Sequence, residues 1–501
     1  MTNFSLNTSG VAGVFGGEEA VATMATVHVY EHRKWLGWYN SPGSYTVAKR
    51  YGLLANSRFF SGIFPGIHTD PATLFELDGW RGPKFRAAHS GSILDETGHL
   101  ASLFLKECSD LPADAVPGRQ TKQIGVTVAE LHHVPEEHMY PQPLDMASPI
   151  VALIPITVSI GTSVTCAYFH DWFSFSMILL GTIASGVSCL VIGSGKLTFT
   201  HPKAADGCPP GDGVLGTDKE IAVLRGPEGA VNCITRGKFS LLFSSEPHYD
   251  NIGWCSVLLM IQFVGQLLLI PQGSLFGQSL FLASLAVSWA YNLWLSALDK
   301  EKIQRAMLMT RVLRRPKMKR YLLGTRTSMA VFVTLLLKPE EPRLILDHLI
   351  SNDTPLWNSF KETISQRLCT MEKEKLHFDP PDQDRPSTVS DEKLWRTLYN
   401  DAQFSLQGIS RVLQGTVTFP IRDRYRCHPF PCIIWIPFLP PWIPRITMAV
   451  FFTIDMSMHL RASYAHKTGW LHHPCWRTAS SVLLSLALAI VYPYPYSVRG
   501  I

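Results

Sequence analysis

The stretch Trp172–Gly193, WFSFSMILLGTIASGVSCLVIG, decides the fold class of this chain because it contains no Asp, Glu, Lys or Arg. A helix on the surface of a soluble protein needs a polar face, and this run offers none. An uncharged apolar run of roughly 18 or more residues is typical of a helix that crosses a lipid bilayer. The run therefore predicts a transmembrane helix.

Three further runs have the same character: Pro149–Phe169, Gly253–Ile270 and Leu275–Leu298. Only His170 and Asp171 separate the first two of the four runs, and Pro271–Ser274 separate the last two. Aromatic residues gather at the ends of the runs, and such rings favour the headgroup level of a bilayer. We therefore predict a mainly α, polytopic α-helical membrane protein with four spans in two hairpins.

The predicted spans hold polar but no ionisable residues. Their amides are Gln262, Gln266, Gln278 and Asn292. Proton-coupled transporters and voltage sensors place ionisable groups inside the membrane, so these mechanisms are disfavoured. The amides either bridge neighbouring helices or line a pore. Small residues four apart, Gly181 with Ser185 and Ser284 with Ser288, predict close helix packing.

The composition supports membrane residence. Hydrophobic residues make up 46% of the 501 residues and charged residues only 17%, against about 25% in soluble proteins. The net charge of +5 is modest, so the whole chain is not predicted to bind nucleic acid. The ten cysteines are scattered, unlike a small disulfide-bonded secreted domain. The N-terminus, MTNFSLNTSGVAGVFGGEEA, is not a signal peptide.

A basic segment follows the last predicted span. Between Ala297 and Arg326 there are ten Lys or Arg and two acids. Positive charge beside a span is retained in the cytosol, so the segment predicts a topology anchor and a mostly cytosolic soluble mass. Pro316 is expected to end its helix. Six side chains are candidates for contact with anionic lipid: Arg311, Arg314, Arg315, Lys317, Lys319 and Arg320.

Two observations oppose this orientation. Residues Glu130–Asp145, before the first span, contain acids and three histidines but no Lys or Arg. Glycosylation sequons also occur at Asn3, Asn7 and Asn352. Sequons arise often by chance, and they are unused in the cytosol. The orientation therefore depends mainly on the basic segment.

The pattern divides the chain into eight parts: a disordered N-terminus (1–24), a mixed soluble region (25–147), the first hairpin (148–193), a β-rich loop (194–252), the second hairpin (253–298), a basic juxtamembrane segment (299–326), a helical soluble region (327–415) and a proline-rich apolar tail (416–501). The tail has few acids and many prolines. It is either a weak membrane anchor or the product of a misassigned exon or retained intron.

The soluble parts contain several local signals. Asp70 and Pro71 predict the start of a short helix, and HLASLFLKEC from His99 predicts another. Alternating apolar residues in the loop 194–252, such as Val231 and Cys233, predict an antiparallel meander. MAVFVTLLL, from Met329, suits a buried strand. Periodic apolar residues predict two packed helices that begin near Pro355 and Ser390.

Two stretches resemble a known group of sequences. They are HRKWLGWYNSPGSY from His32 and HTDPATLFELDGWRGPKFRAAHSGSILDETGHLASLFLKECSDLP from His68. They resemble uncharacterised multi-pass membrane proteins of mushroom-forming (basidiomycete) fungi, over about residues 30–415. The resemblance implies membrane residence and no known activity.

Catalytic and ligand-binding motifs fail in context. GDGVLG, from Gly211, leads into a predicted strand rather than a helix, so it is not a dinucleotide fingerprint. GSGKL, from Gly193, lacks the first glycine and the Ser/Thr of a P-loop. The groups His132, His133, His138 and His472, His473, Cys475 lack established zinc-ligand spacing. We predict no catalytic residue, no metal site and no cofactor.

Three functional classes remain. The first is a non-enzymatic membrane-anchored scaffold or adaptor, indicated by uncharged spans, short turns and missing catalytic motifs. The alternative is a channel or transporter subunit whose pore is lined by hydroxyls and amides. The third is a membrane-embedded lipid enzyme, for which only His170 and Asp171 offer an interfacial His/Asp pair.

Overall fold

The computed structural model describes residues 15–30, 32–67, 69–141, 149–370, 377–381 and 388–414. Its helices are α1 (Gly17–Met24), α2 (Thr26–Val29), α3 (Ser44–Gly52), α4 (Arg58–Ile63), α5 (Pro71–Leu74), α6 (His99–Ser109), α7 (Leu153–Tyr168), α8 (Trp172–Ile192), α9 (Glu228–Thr235), α10 (Asp250–Leu269), α11 (Leu275–Ser296), α12 (Lys300–Met307), α13 (Arg326–Leu337), α14 (Pro342–Leu349), α15 (Pro355–Thr370) and α16 (Val389–Gln414).

The strands are β1 (Lys84–Ala87), β2 (Ile93–Leu94), β3 (Ala113–Ala115), β4 (Ile124–Glu130), β5 (His138–Met139), β6 (Lys196–Thr200), β7 (Gly213–Gly216), β8 (Glu220–Arg225), β9 (Lys238–Leu242) and β10 (Lys317–Leu323). Turns of 3-10 helix lie at Arg33–Trp35, Pro149–Ala152 and Ile270–Gln272, and a π-helical turn lies at Leu308–Val312.

The four apolar runs form a bundle in which α8 contacts α7, α10 and α11. Helices α8, α10 with its following turn, and α11 are long and apolar enough to cross a membrane. The prediction of four such helices is wrong for α7, which has 16 residues and measures about 24 Å, less than the bilayer core of about 30 Å. Pro155 explains the late start, because its ring excludes an α-helical turn around the carbonyl of Val151.

The bundle has a polar interior and an apolar surface. Its buried side chains include Ser159, Ser163, Gln262, Gln266, Ser284 and Asn292. Its exposed side chains include Ile160, Val164 and Leu268, which are 53%, 61% and 60% exposed. A soluble protein has the opposite arrangement. The bundle surface is therefore typical of one that contacts lipid.

Asp171 joins the two hairpins at their tips, which we call the turn end of the bundle. Its Oδ1 accepts a hydrogen bond from the Ser174 backbone N–H at 3.1 Å and so caps α8. Its Oδ2 accepts from the backbone N–H and the hydroxyl of Ser274, at 2.7 and 2.6 Å. Ser274 in turn caps α11. One buried carboxylate therefore satisfies polar groups at the starts of two helices.

A seven-stranded mixed sheet lies at the opposite end of the helix bundle. We call this end of the bundle the sheet end. The strand order is β2-β1-β7-β8-β4-β10-β3. Strand β4 pairs parallel with β8 and antiparallel with β10. These neighbours come from before, between and after the two hairpins. The sheet therefore forms only when the chain returns to the same place after each hairpin.

The predicted meander in the loop 194–252 is wrong. Strands β7 and β8 join the large sheet, whereas β6 and β9 join a separate sheet with β5. Val231 and Cys233 lie in α9, whose residues from Gly229 to Thr235 are all buried. A short helix that is buried on every side has no polar stripe, so its pattern is easily mistaken for a strand.

The basic segment also differs from its prediction. The helical part ends before Pro316, as expected, but Lys317–Leu323 form the inner strand β10. Lys319 pairs with Asp114 at 3.3 Å, and Arg320 pairs with Glu220. Asp114 and Glu220, which are distant in sequence, thus neutralise the two cations within the sheet. The sequence around Lys319 and Arg320 does not reveal such partners.

The C-terminal described region is helical, as predicted. Helices α15 and α16 occur where the periodicity placed them, and both pack near α13. MAVFVTLLL is not a strand but part of α13, whose N-terminus is capped by Thr325. The predicted disordered segment 1–24 is also corrected, because Gly17–Met24 form α1. The tail 416–501 lies outside the described residues.

One hydrophobic core joins the bundle to the sheet. It contains Cys189 and Ile192 at the end of α8, Ile252 and Cys255 at the start of α10, and residues of β6–β9, α6 and the π-helical turn. Protein cores pack densely and transmit displacement. The sheet and the bundle are therefore coupled by side-chain packing and not merely by linkers.

We expect Asp171→Ala to destabilise the protein by about 3 kcal/mol, because it removes the acceptor for a helix cap and for both polar groups of Ser274. The measurement is thermal unfolding of the purified protein in detergent. Asp95→Ala is the control, since Asp95 is 85% exposed and lies 3.7 Å from Lys84. Equal transition temperatures for the two variants would contradict the assigned role.

His28 is expected to make stability depend on pH. It is buried, its Nδ1 lies 3.2 Å from the Gly195 carbonyl, and burial lowers its pKa to about 4. The unfolded chain binds a proton below pH of about 6.5, whereas the folded chain does not until pH of about 4. Stability therefore falls by up to about 3 kcal/mol across this window as the pH decreases.

The check compares thermal unfolding at pH 7 and pH 5 for the wild type and for His28→Gln, whose side chain keeps an N–H donor and does not titrate. We expect the variant to lose less stability on acidification. An identical pH dependence in both proteins would rule out His28 as its source.

Candidate functional site in the polar interior of the helix bundle

The segment 33–43 enters the bundle from the sheet end. Gly193, at the end of α8, lies against Lys34, and Gly186 lies against Trp38. Deeper along α8, a methyl group on Gly181 would overlap the Asn40 carboxamide. Gly181 precedes Ile192 by about 16 Å along the helix axis. The segment therefore reaches about half the length of the bundle and returns through α3, which packs along α10.

Asn40 is the centre of this interior. It is fully buried, and its backbone N–H donates to Ser159 Oγ of α7 at 2.9 Å. Its side-chain Nδ2 donates to Ser284 Oγ of α11 at 2.8 Å. Gly181 of α8 lies against its Oδ1, and the same Gly181 also faces Gln262 of α10. One residue thus contacts α7, α8 and α11, and Gln262 of α10 lies close to the same position.

A second set of hydrogen bonds holds the segment nearer the sheet end. The Tyr39 hydroxyl donates to Asn292 Oδ1 at 2.8 Å, and Asn292 Nδ2 donates to Ser41 Oγ at 3.2 Å. The rings of Tyr39 and Tyr291 meet edge to face at 5.5 Å. The prediction that Asn292 bridges two neighbouring spans is therefore not what the structure shows. Asn292 binds the inserted segment.

The small residues of α8 and α11 also contact the inserted segment. Gly181 gives space to Asn40, the Ser185 backbone lies against Gly37, and Ser284 binds the Asn40 amide. The predicted close approach of two helices at these positions is therefore replaced by the close approach of an irregular segment. Irregular backbone at such depth is tolerated only where protein or water covers it.

Several polar atoms in this interior have no hydrogen-bond partner among the residues that the structure describes. They include Asn40 Oδ1, both carboxamide atoms of Gln262, Gln266 Nε2 and the hydroxyls of Ser185 and Ser288. Each unpaired polar group in an apolar setting costs on the order of 1–3 kcal/mol. Buried polar groups of this kind are usually satisfied by water or by a bound molecule. We call this set the polar seam.

The other residues considered in the sequence lie elsewhere. His170 stacks on Trp172, and Asp171 is committed to helix capping. His132 lies 3.8 Å from Glu130. In the described residues, no three side chains of His, Cys, Asp and Glu meet as metal ligands would. His472, His473 and Cys475 lie outside the described residues.

Of the six candidates for lipid contact, three are exposed and have no ion pair in the described part of the chain: Arg314, Arg315 and Lys317. Arg314 and Arg315 have positive φ angles, 51° and 59°. A non-glycine residue in this region is uncommon. These two exposed arginines therefore form a turn directly before β10, the strand in which Lys319 and Arg320 make their ion pairs.

A surface groove of about 450 Å³ lies beside the loop 134–137. Its His201 ring nitrogens lie 3.0 Å from the carbonyls of Pro135 and Pro202. Its Cys208 thiol is hydrogen-bonded to Glu228, which raises the pKa of Cys208. A protonated thiol is a poor nucleophile. Cys208 and Cys233 are both free thiols, so the two cysteines form no disulfide beside the groove.

Comparison with protein-family models, with curated proteins and with solved structures finds no match for this chain. The resemblance to fungal membrane proteins therefore stays a prediction.

We expect Gly181→Ala to destabilise the bundle by about 1–3 kcal/mol, because the new methyl group overlaps Asn40. Gly161→Ala in α7 is the matched control, since no atom lies within 4 Å of the position its methyl would take. Both changes favour a helix equally. Thermal unfolding in detergent should therefore show opposite signs for the two variants. A stabilised Gly181→Ala protein would contradict the packing described for Asn40.

Proposed function

We propose that this protein is a multi-pass membrane platform. Its bundle anchors a folded sheet-and-helix domain at the membrane surface, where that domain binds protein or lipid. The observation that carries the proposal is the pairing of β4 with both β8 and β10. Strand β4 precedes the two hairpins, β8 lies between them and β10 follows them. Each hairpin must therefore begin and end on the same side of the membrane.

The same pairing supports four passages through the membrane, although only three helices in the described part of the chain reach full length. Helix α7 must accompany α8 back to the side of the sheet. A short helix can be accommodated when the bilayer thins locally. The turn end then carries no Lys or Arg, because its two connections are His170-Asp171 and Pro271–Ser274. This charge distribution supports a cytosolic sheet end.

The soluble domain offers two features to partners. One is the exposed turn with Arg314, Arg315 and Lys317, which suits the phosphate groups of anionic lipids. The other is the helical layer α13–α16, which packs on the sheet face containing Val126, Val223 and Tyr321. The core that joins bundle and sheet supports a rigid mounting of the sheet, and the helical layer packs on the sheet through a second core.

A channel or transporter subunit is the second candidate, and the polar seam favours it. Unpaired amides and hydroxyls along a bundle interior can accompany water or a small polar solute. Flux into reconstituted vesicles that is lost in Gln262→Leu and kept in Ser279→Ala would favour transport. Ser279 is the control because its hydroxyl donates to the Leu275 carbonyl of its own helix.

Protease protection on sealed vesicles tests the platform. One tag is placed at the N-terminus and another in the exposed connection 203–207 between β6 and β7. We expect cleavage of both tags from the cytosolic face only. Protection of one tag alone would contradict the shared sheet. Protection of both, with sugar on Asn3 and Asn7, would invert the orientation.

A further inference from the structure

We infer that residues Arg58–Ile67 form a membrane-interface wedge that inserts apolar side chains among the lipid headgroups beside α10. The sequence of the wedge is RFFSGIFPGI, and its first part is the helix α4. The proposed occupant of its outer surface is the lipid of the adjacent leaflet. The inference needs membrane residence, but it does not need the platform to bind a protein.

The wedge is firmly attached to the first turns of α10. The backbone N–H of Asn56 donates to the His248 carbonyl at 2.9 Å, and His248 Nδ1 lies 3.1 Å from the Asn56 carbonyl. Phe60 is buried, packs against Gly253 and meets the Trp254 ring edge to face at 5.8 Å. The position of α4 relative to α10 is therefore set by packing.

The outer face of the wedge is apolar and exposed. Phe59, Ile63 and Ile67 are 57%, 42% and 88% exposed, and Trp254 beside them is 60% exposed. Phe59 and Ile63 are four residues apart, so they lie on one face of α4. The Phe59 and Trp254 ring centroids are 6.1 Å apart. Phe59, Ile63 and Trp254 therefore form one patch rather than scattered exposures, and Ile67 follows four residues after Ile63 in the chain.

The patch continues the surface that α10 presents to lipid. Ile261 and Leu268 are exposed further along the same helix, at 56% and 60%. Trp254 lies about 6 Å along the axis from the start of α10, where aromatic rings prefer the headgroup level. Arg58, at the start of the wedge, is exposed. A cation beside an apolar face is typical of interfacial helices.

A fluorescent probe at position 63 tests the wedge. The background carries Cys208→Ser, Cys369→Ser, Cys427→Ser, Cys432→Ser and Cys475→Ser, while the five cysteines left are buried and should not react. Ile63→Cys is labelled with the environment-sensitive dye NBD, and Asp95→Cys, in an exposed turn of the sheet domain, is the control. Ile67→Cys is a second test position. The full-length proteins are reconstituted in phosphatidylcholine vesicles.

We expect the probes at positions 63 and 67 to emit at shorter wavelength than the probe at position 95. We also expect them to lose fluorescence when the vesicles contain a lipid with a nitroxide near the headgroup end of its acyl chain. A nitroxide at the middle of the chain should quench less. The probe at position 95 should respond only to aqueous iodide.

Quenching of positions 63 and 67 by iodide alone would overturn the wedge. Shielding that appears only at high protein density in the vesicles, without lipid quenching, would assign the patch to a second copy of the chain and would also overturn it. Because both substitutions are at exposed positions, unchanged thermal unfolding verifies that the labelled proteins fold. Neither outcome depends on the protease-protection result for the platform.

Discussion

The pairing of β4 with β8 on one side and β10 on the other is the constraint on which the rest of the structure depends. These strands belong to three segments that two apolar hairpins keep far apart in sequence. Closing such long loops has an entropic cost that grows slowly with length. The hairpins reduce that cost in practice, because each returns the chain close to where it left. Sheet and bundle therefore specify one another.

Asn40, inside the bundle, likewise depends on partners that are distant in sequence. Its segment is irregular around Asn40, so the polar groups there need partners from the surrounding helices. Ser159 and Ser284 supply two of them, and Gly181 supplies the space. The interior is polar because it accommodates a polar segment, while the outer surface is apolar. This inversion separates the bundle from the cores beneath the sheet, which are built from Val, Leu, Ile and Phe.

The proposed roles use different parts of this arrangement. A platform needs the shared sheet, the continuous core and the exposed cations at Arg314, Arg315 and Lys317. A transport subunit requires that water or a small polar solute pass along the polar seam around Gln262. The wedge at Phe59 and Ile63 belongs to either role, because it concerns the contact between the bundle and its lipid.

The sequence by itself determined the elements whose cause is local. The long charge-free runs predicted α8, α10 and α11, Asp70 and Pro71 predicted α5, and apolar periodicity predicted α15 and α16. Each depends on hydropathy, capping or a 3.6-residue period, which neighbouring residues supply. Only the tertiary structure decided that Lys317–Leu323 is a sheet strand, that Val231 lies in a helix and that Asn40 sits inside the bundle. Those outcomes depend on partners such as Glu220, Asp114 and Gly181, which are distant in sequence, and a local pattern carries no record of which distant group will come to lie beside it.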